Sequence, residues 1–369
     1  MYLEKLSLVN FKNHEQAELH FSAKINCFVG NNGVGKTNLL DAIHYLSLCK
    51  SYFNFIDSQN IKNGNDFFVI QGKYFVDSVE EDIYCGFKRN GGKLMKRNKK
   101  EYNRLAEHVG FVPVVMITPS DNSLITDGSD ERRRLLDSII SQYDKLYLDD
   151  LIHYNRVLQQ RNKVLKEFAD SGRFDAEILD VYTEQLSNYG DSIFKKRKDF
   201  IEAFKPVFQK YYSDIAGVGE NAELSYMSQL ENNSMLTLLR NSISKDKVLE
   251  YTACGIHKDD IQLTLNGFPV KKIASQGQQK TYVVALKLAE FDFIAKLSGK
   301  KPLLLLDDIF DKFDPDRVKH IIHLASDDHF GQIFITDTEI HRIEKVLSEI
   351  SFDHAIFIVE NDKITEFKN

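Results

Sequence analysis

What the 369-residue sequence has little of narrows the field first. Its four cysteines, Cys27, Cys49, Cys85 and Cys254, are scattered, with no C-x-x-C pair. That spacing disfavours a zinc site or a disulfide framework and suits a reducing cytosol. No run approaches the ~18 apolar residues that a membrane helix needs. The N-terminal stretch MYLEKLSLVNFKNHEQ carries charges throughout, so no signal peptide is expected and the expected location is cytoplasmic. An excess of positive charge is also missing. The net charge is -6 and the pI about 6.0, which argues against a globally basic nucleic-acid binder and leaves only local basic patches. Low-complexity segments and internal repeats are absent. What is present is ordinary: 43% hydrophobic residues, enough for a sizeable core, and 28% charged ones. The length argues for two lobes.

Hydrophobic period sorts the chain into regions. YLEKLSLVNF alternates as a strand, and AELHFSAKINCFVG supplies two more. Residues 66–103 look like successive antiparallel strands with a hairpin turn at Gly91-Gly92, and VGFVPVVMITPSD is a buried strand stopped by Pro119. From about Ser129 to Ile215 the chain is polar and helix-rich, divided by DSGRFD, as an inserted helical arm would be. Strand texture returns at YTACGIHKDDIQLTLNGFPV, before a long apolar helix, a buried PLLLLD strand, another helix and QIFITDT. Strands alternating with helices around a glycine loop argue for a mostly parallel sheet. The expected division is a head from 1–122 and 245–369, with a helical arm at 123–244.

The chemistry concentrates in four places. Gly30-Asn31-Asn32-Gly33-Val34-Gly35-Lys36-Thr37 fits the P-loop pattern G-x-x-x-x-G-K-[ST]. Its glycines let backbone N–H groups curl around phosphates at a helix N-terminus. Lys36 would reach the β- and γ-phosphates of ATP, and the Thr37 hydroxyl would bind Mg²⁺. PLLLLDD ends in two acids: Asp307 would complete the metal shell, and Asp308 sits where a water-positioning carboxylate or general base is needed. ASQGQQK, with Ser275, Gly277 and Gln278, opens the apolar helix and offers a second anion site. Since one P-loop already cradles the phosphates, this turn makes sense if it serves another subunit's nucleotide. FITDT places Thr336 and Asp337 at a strand end beside the expected γ-phosphate position, as a looser match.

This order of P-loop, long insertion, signature, paired acids and Asp loop resembles the ABC-type ATPase heads. The blocks VNFKNHEQ, GNNGVGKTNLLDAIHYLSLCKS, ITPSDNSLITDGSDERRRLLD, GIHKDDIQLTLNG, ASQGQQKTYVVALKLAE and LLLLDDIFDKFDPDR resemble the RecF family almost end to end. Departures include Lys12, Lys258 and Lys280 where the family favours arginine, YFNF after Ser51, and Phe313 where it favours leucine. The resemblance implies an α/β head with mixed sheets and an inserted, mostly helical arm. It implies an ATP-dependent homodimer that clamps DNA at single-strand gaps or junctions, works with a RecR-like partner in recombinase loading, repair, replication and the SOS response, and hydrolyses ATP slowly as a release switch. Asp314 is a candidate for cross-interface contacts.

Local basic stretches are the DNA candidates. Lys88, Arg89, Lys93, Lys96, Arg97, Lys99 and Lys100 form a run of seven cations without an acid, which could track a phosphate backbone or simply guard a hairpin edge. Lys195-Lys196-Arg197-Lys198 favours a solvated helix face, and Arg132, Arg133 and Arg134 are expected to pair with neighbouring acids. His257 has no second histidine at ligand spacing, which disfavours a metal there. The alternatives are a defence-type or SMC-like ATPase head acting on DNA. The SMC reading needs sustained heptads that are absent between Thr37 and Ser275. A transporter ATPase fits the helical arm poorly.

Overall fold

The computed structural model describes residues 1–217, 219–308, 330–348, 353–360 and 363–367. Contacts divide the chain into two compact units, Met1–Asp121 with Leu286–Asn369, and Asn122–Ala285.

Two sheets organise the first unit. The first is antiparallel: β1 (Tyr2–Phe11), β2 (His14–His20), β4 (Phe67–Val76), β5 (Val79–Lys88), β6 (Gly92–Arg97) and β7 (Lys100–Glu101), in the order β2-β1-β4-β5-β6-β7. Two of its hairpins close on two residues with positive φ, Asp77-Ser78 at 51° and 66° and Asn98-Lys99 at 50° and 69°. Those angles match the right-handed twist of the flanking strands. The second sheet contains β3 (Ile25–Val29), β8 (Val114–Ile117), β12 (Leu303–Leu306), β13 (Ile333–Asp337), β14 (His354–Glu360) and β15 (Lys363–Phe367). Its order is β15-β14-β3-β13-β12-β8, parallel except for β15. The four leucines of β12 are wholly buried, as a central parallel strand covered on both faces requires.

Helix α1 (Lys36–Leu48) follows β3 and is buried nearly all round. Its Leu39, Leu40, Ile43 and Leu46 share one core with Leu3, Leu6 and Leu8 of β1 and Leu303 and Leu305 of β12. Phe21 sets its ring edge-on to Phe28, Phe334 and Phe357 at 6.0, 5.0 and 5.6 Å, the favoured geometry for aromatic quadrupoles. This core holds the ends of three parallel strands in register.

The second unit is mostly helical. It includes α2 (Ser123–Thr126), α3 (Ser129–Ser141), α4 (Lys145–Ser171), α5 (Ala176–Ala216), α6 (Met235–Asn241), α7 (Ile243–Leu249) and α8 (Val270–Ile273). At 1.5 Å per residue α4 and α5 reach about 40 and 60 Å. Asp144 caps α4 through the Tyr147 N–H, and Asp175 caps α5 through the N–H groups of Glu177 and Ile178. Gly172, at φ 66°, ends α4 in the left-handed conformation. A small antiparallel sheet completes the unit, β9 (Ala222–Met227), β10 (Asp260–Leu265) and β11 (Phe268–Pro269), in the order β11-β10-β9. The sequence reading ended the arm at 244. The contacts keep residues 245–285 with the helices, because β10 pairs along its full length with β9. The later boundary falls inside α9 (Gln276–Ser298).

The stretch Lys195–Lys198 is not a uniform solvated face. Arg197 is 1% exposed and donates to Asp137 at 2.7 Å and to the Ile256 carbonyl at 2.9 Å. Lys196 pairs with Asp144 at 2.9 Å and Lys198 with Glu231 at 2.7 Å. A run of four charges read without partners conceals which one points inward. Arg132 pairs with Asp260 at 2.7 Å, Arg133 with Asp130, and Arg134 with Glu131 at 2.5 Å, as the neighbouring acids suggested.

Candidate nucleotide site

β3, β13 and β12 lie side by side and parallel, so their C-terminal ends emerge along one edge of the sheet. In open parallel sheets that edge is where ligands bind. From β3 comes the loop Gly30–Gly35, from β12 come Asp307 and Asp308, and β13 between them ends in Thr336 and Asp337. The edge is knitted together. The Gly30 N–H donates to the Asp337 carbonyl at 3.2 Å, and the Asp308 N–H donates to Thr336 Oγ1 at 2.8 Å.

The loop geometry demands glycine. Gly33 and Gly35 have φ of 84° and 106°. A Cβ on Gly35 would also lie 2.4 Å from the Asn13 side chain, and one on Gly30 would lie 2.2 Å from the Val359 carbonyl oxygen. Lys36 is 4% exposed and folds back over the loop, its Nζ donating to the carbonyls of Gly30 at 2.8 Å and Asn31 at 3.0 Å. Asn31, Asn32 and Gly33 are exposed and Val34 is half-buried.

The hydroxyl and the acids converge. Thr37 Oγ1 donates toward Asp307 at 2.9 and 3.1 Å to its two oxygens, and Thr336 Oγ1 lies 2.8 Å from Asp307 Oδ1. Burial pushes the Asp307 carboxyl up to about 6, against the lowering effect of the Thr336 and Thr37 hydroxyls. Asp308 stands next to it at φ 44°, a left-handed conformation that costs a non-glycine residue energy and is characteristic of functional turns. Thr37 and Asp307 offer hard oxygen donors on one spot, a set that fits Mg²⁺, whose sites use one or two carboxylates and a hydroxyl alongside phosphate and water.

Several supports were not foreseen. Asn13, in the turn between β1 and β2, donates to the Val34 carbonyl at 2.9 Å and accepts from Asn38 at 2.7 Å, and His14 Nε2 lies 3.1 Å from the Gly35 carbonyl. Asp41 is wholly buried on α1 and gathers Ser51 Oγ at 2.6 Å, the Tyr52 N–H at 2.7 Å and Lys12 Nζ at 2.5 Å. The signal for Asp41 was in plain view: an acid inside the apolar run LLDAIHYL must find partners. An open cleft of about 640 Å³ next to the loop is lined by Lys12, Asn13, Thr37, Asn38, Phe53 and Asn54 among others.

In the second unit, Ser275 is exposed and caps α9. It forms a reciprocal pair with Gln278: the Gln278 N–H donates to Ser275 Oγ at 3.2 Å, and the Ser275 N–H to Gln278 Oε1 at 2.8 Å. Gly277 is half-buried in the first turn. His257 uses both ring nitrogens, Nδ1 with the Tyr154 hydroxyl at 2.8 Å and Nε2 with the Thr252 carbonyl at 3.0 Å. Burial pushes it down to about 4, so it is a neutral, half-buried residue with both ring nitrogens engaged. Within the basic hairpin, Lys93 is committed to Asp57 at 2.8 Å and the Cys49 carbonyl at 2.7 Å. Arg97 makes a two-pronged pair with Glu81 and lies 3.8 Å over the Phe111 ring. Lys96 is half-buried against Tyr84, whereas Lys88, Arg89, Lys99 and Lys100 are exposed. Asp314 and Phe313 lie outside the described residues.

Such an edge, with a P-loop and paired acids flanking a hydroxyl-bearing strand end, is the working part of an ATPase head of the ABC and SMC class. The RecF/RecN/SMC N terminal domain family matches residues 2–354. The chain belongs to the RecF family. It is 52% identical to the DNA replication and repair protein RecF of Phocaeicola vulgatus, covering 100% of this chain and 99% of that protein. It is 48% identical to the protein of the same name from Flavobacterium johnsoniae, covering 97% and 99%. A solved structure of the recombination mediator protein RecF with ATP, from the RecFOR pathway, superimposes with a TM-score of 0.90 at 30% identity, covering 100% of this chain and 98% of that one. The Smc head domain of Pyrococcus furiosus shares the fold at a TM-score of 0.56 and 18% identity, covering 99% and 96%. Among the described residues, no helix is long and apolar enough to cross a membrane.

Proposed function

We propose that this chain is an ATP-dependent DNA-binding recombination mediator, whose ATP-bound dimer grips DNA at single-strand gaps or junctions and acts with a RecR-like partner in repair, replication restart and the SOS response. The observation that carries the ATP half is the 2.9 Å contact between the Thr37 hydroxyl of the P-loop and Asp307 of the paired acids. The DNA half is supported by relatives named for DNA replication and repair along their whole length.

The residues divide the work. Backbone N–H groups of Gly30–Gly35 surround the phosphates, and Lys36 exchanges its two loop carbonyls for phosphate oxygens. Thr37 and Asp307 would hold Mg²⁺, which would supply neutralisation of the phosphate charge. Asp308 orients the attacking water, and its side chain is one methylene shorter than the glutamate usual in ABC heads, so turnover is slow. Phe53 and Lys12, 5.2 Å apart on the neighbouring cleft, accommodate the nucleoside. Ser275, Gly277 and Gln278 complete the nucleotide site of a second copy, so ATP favours the closed dimer. Lys88, Arg89, Lys99 and Lys100 are the exposed cations that contact the DNA backbone.

Sedimentation with ATP, ADP or neither tests this reading. The parent is expected to dimerise with ATP alone, and Lys36→Arg and Ser275→Arg to remain single chains. Dimerisation of both variants at the parent's concentration overturns it.

A further inference from the structure

The signature turn does not hold itself. The reciprocal pair between Ser275 and Gln278 uses the Gln278 carbonyl oxygen, which accepts the Ser275 N–H. That fixes the amide orientation and leaves Nε2 with donors to place. Nε2 donates to Glu220 Oε1 at 2.7 Å. The other oxygen of Glu220 accepts the Tyr212 hydroxyl. Tyr212 is 1% exposed and lies near the end of α5. Its ring sits 5.7 Å from Tyr282 on α9, which also meets Phe208 at 4.8 Å and donates its hydroxyl to the Glu223 carbonyl at 2.6 Å. The last turns of the arm and the start of β9 therefore form a socket for the first turns of the signature helix. Beyond that socket Ser275 stays exposed, in the same stretch of chain as Phe268 and Ile273, which are 61% and 49% exposed.

From this geometry we infer that Glu220, held by Tyr212, is the positioning residue of the signature turn, and that it sets Ser275 and Gln278 for the nucleotide of a second copy. This rests on the reading above, in which the turn completes the nucleotide site of a second copy. Glu220 touches no nucleotide and acts through Gln278. Without it, the Gln278 amide is free to turn over, which breaks the Ser275 N–H bond and disorders the cap. The chain of bonds from Tyr212 through Glu220 and Gln278 to Ser275 also makes the end of the arm and the signature one unit.

The test measures the protein concentration at half-dimerisation with ATP for the parent, Glu220→Ala, Glu220→Gln, Tyr212→Phe and Ser275→Arg. Fluorescent ATP binding to dilute single chains and the thermal midpoint are recorded beside it. Loss of a hydrogen bond to a charged group predicts a rise of about tenfold for Glu220→Ala. Single-chain nucleotide affinity should be unchanged, since the P-loop is untouched. Glu220→Gln keeps an acceptor for Gln278 and should recover most of the loss. Tyr212→Phe should fall between the two. A merely structural role would make dimerisation follow the thermal midpoint with no recovery in Glu220→Gln, and that result overturns the inference. So does parent-like dimerisation of Glu220→Ala while Ser275→Arg fails to dimerise. If Ser275→Arg itself dimerises like the parent, the role of the turn at a second copy's nucleotide falls instead. Should Glu220→Ala not fold, Tyr212→Phe, which removes one hydroxyl, decides the matter.

Discussion

Glu290 illustrates how burial alone rewrites a residue. It lies 3% exposed on α9, with Lys287 and Asp121 also buried nearby. Asp121 accepts the Tyr52 hydroxyl and, at 2.6 Å, the Thr118 N–H, and lies 3.8 Å from Lys287 Nζ. Glu290 Oε2 is 3.2 Å from Lys287 Nζ but has no hydrogen bond of good geometry. Burial pushes its carboxyl up to about 7. A raised acid is protonated in the native state over a range where the unfolded chain has lost the proton. Stability therefore falls as pH rises from about 4.5 toward 7, and the penalty is fully present above that. Glu290→Gln is neutral throughout. Thermal or urea unfolding should find it more stable than the parent at pH 8, by up to ~3 kcal/mol, with the gap closing at pH 5. An unchanged gap across that range would show that Glu290 is ionised throughout. None of this was legible in the sequence, where AEFDF looks like one more turn of an apolar helix with a polar residue on its outside.

Among elements, α5 departs most from its sequence reading. Its period announces a helix, its aspartate cap is visible, and its 41 residues tolerate Pro206. What the period could not say is that Arg197 is the buried member of a four-cation run. Arg197 binds Asp137 of α3 and the Ile256 carbonyl, and lies 3.5 Å from Asp259. It thereby ties three stretches far apart in sequence. Removing one partner of a buried ion pair leaves the others uncompensated. Arg197→Met is expected to cost about 3–5 kcal/mol in chemical denaturation followed by helical circular dichroism. Lys195→Ala, at an exposed position two residues away, should leave the transition where it is. The β-hairpins posed the opposite difficulty. Asp77-Ser78 and Asn98-Lys99 close tight turns without glycine, so only the alternation of the flanking strands marked them.

At the scale of the molecule, a protein of net charge -6 can bind DNA only through a local concentration of cations. The hairpin run divides by exposure, Arg89 meeting Asp66 at 3.8 Å but at an exposed position. Lys93 and Arg97 are spent on Asp57 and Glu81, and Lys88, Arg89, Lys99 and Lys100 remain exposed. If the DNA reading holds, replacing those four by alanine should weaken ATP-dependent binding. It should also flatten the dependence of log affinity on log salt by about 0.9 for each duplex phosphate that is no longer neutralised. Lys93→Ala should instead disturb the loop it holds near Cys49 and leave the salt slope unaltered. An unchanged slope in the four-fold variant would remove the hairpin from the DNA interface.

The sequence by itself determined the candidate letters: the glycine loop, the two acids after four leucines, the signature before an apolar helix, and the helical insertion. These depend on local chemistry and short spacing, which survive in one dimension. Tertiary structure alone decided which polar groups are spent on one another. Asn13 braces the phosphate loop, Arg197 turns inward, and Glu220 anchors the signature turn. Buried polar groups must be paired, and their partners lie tens to hundreds of residues away, beyond the reach of any period or motif.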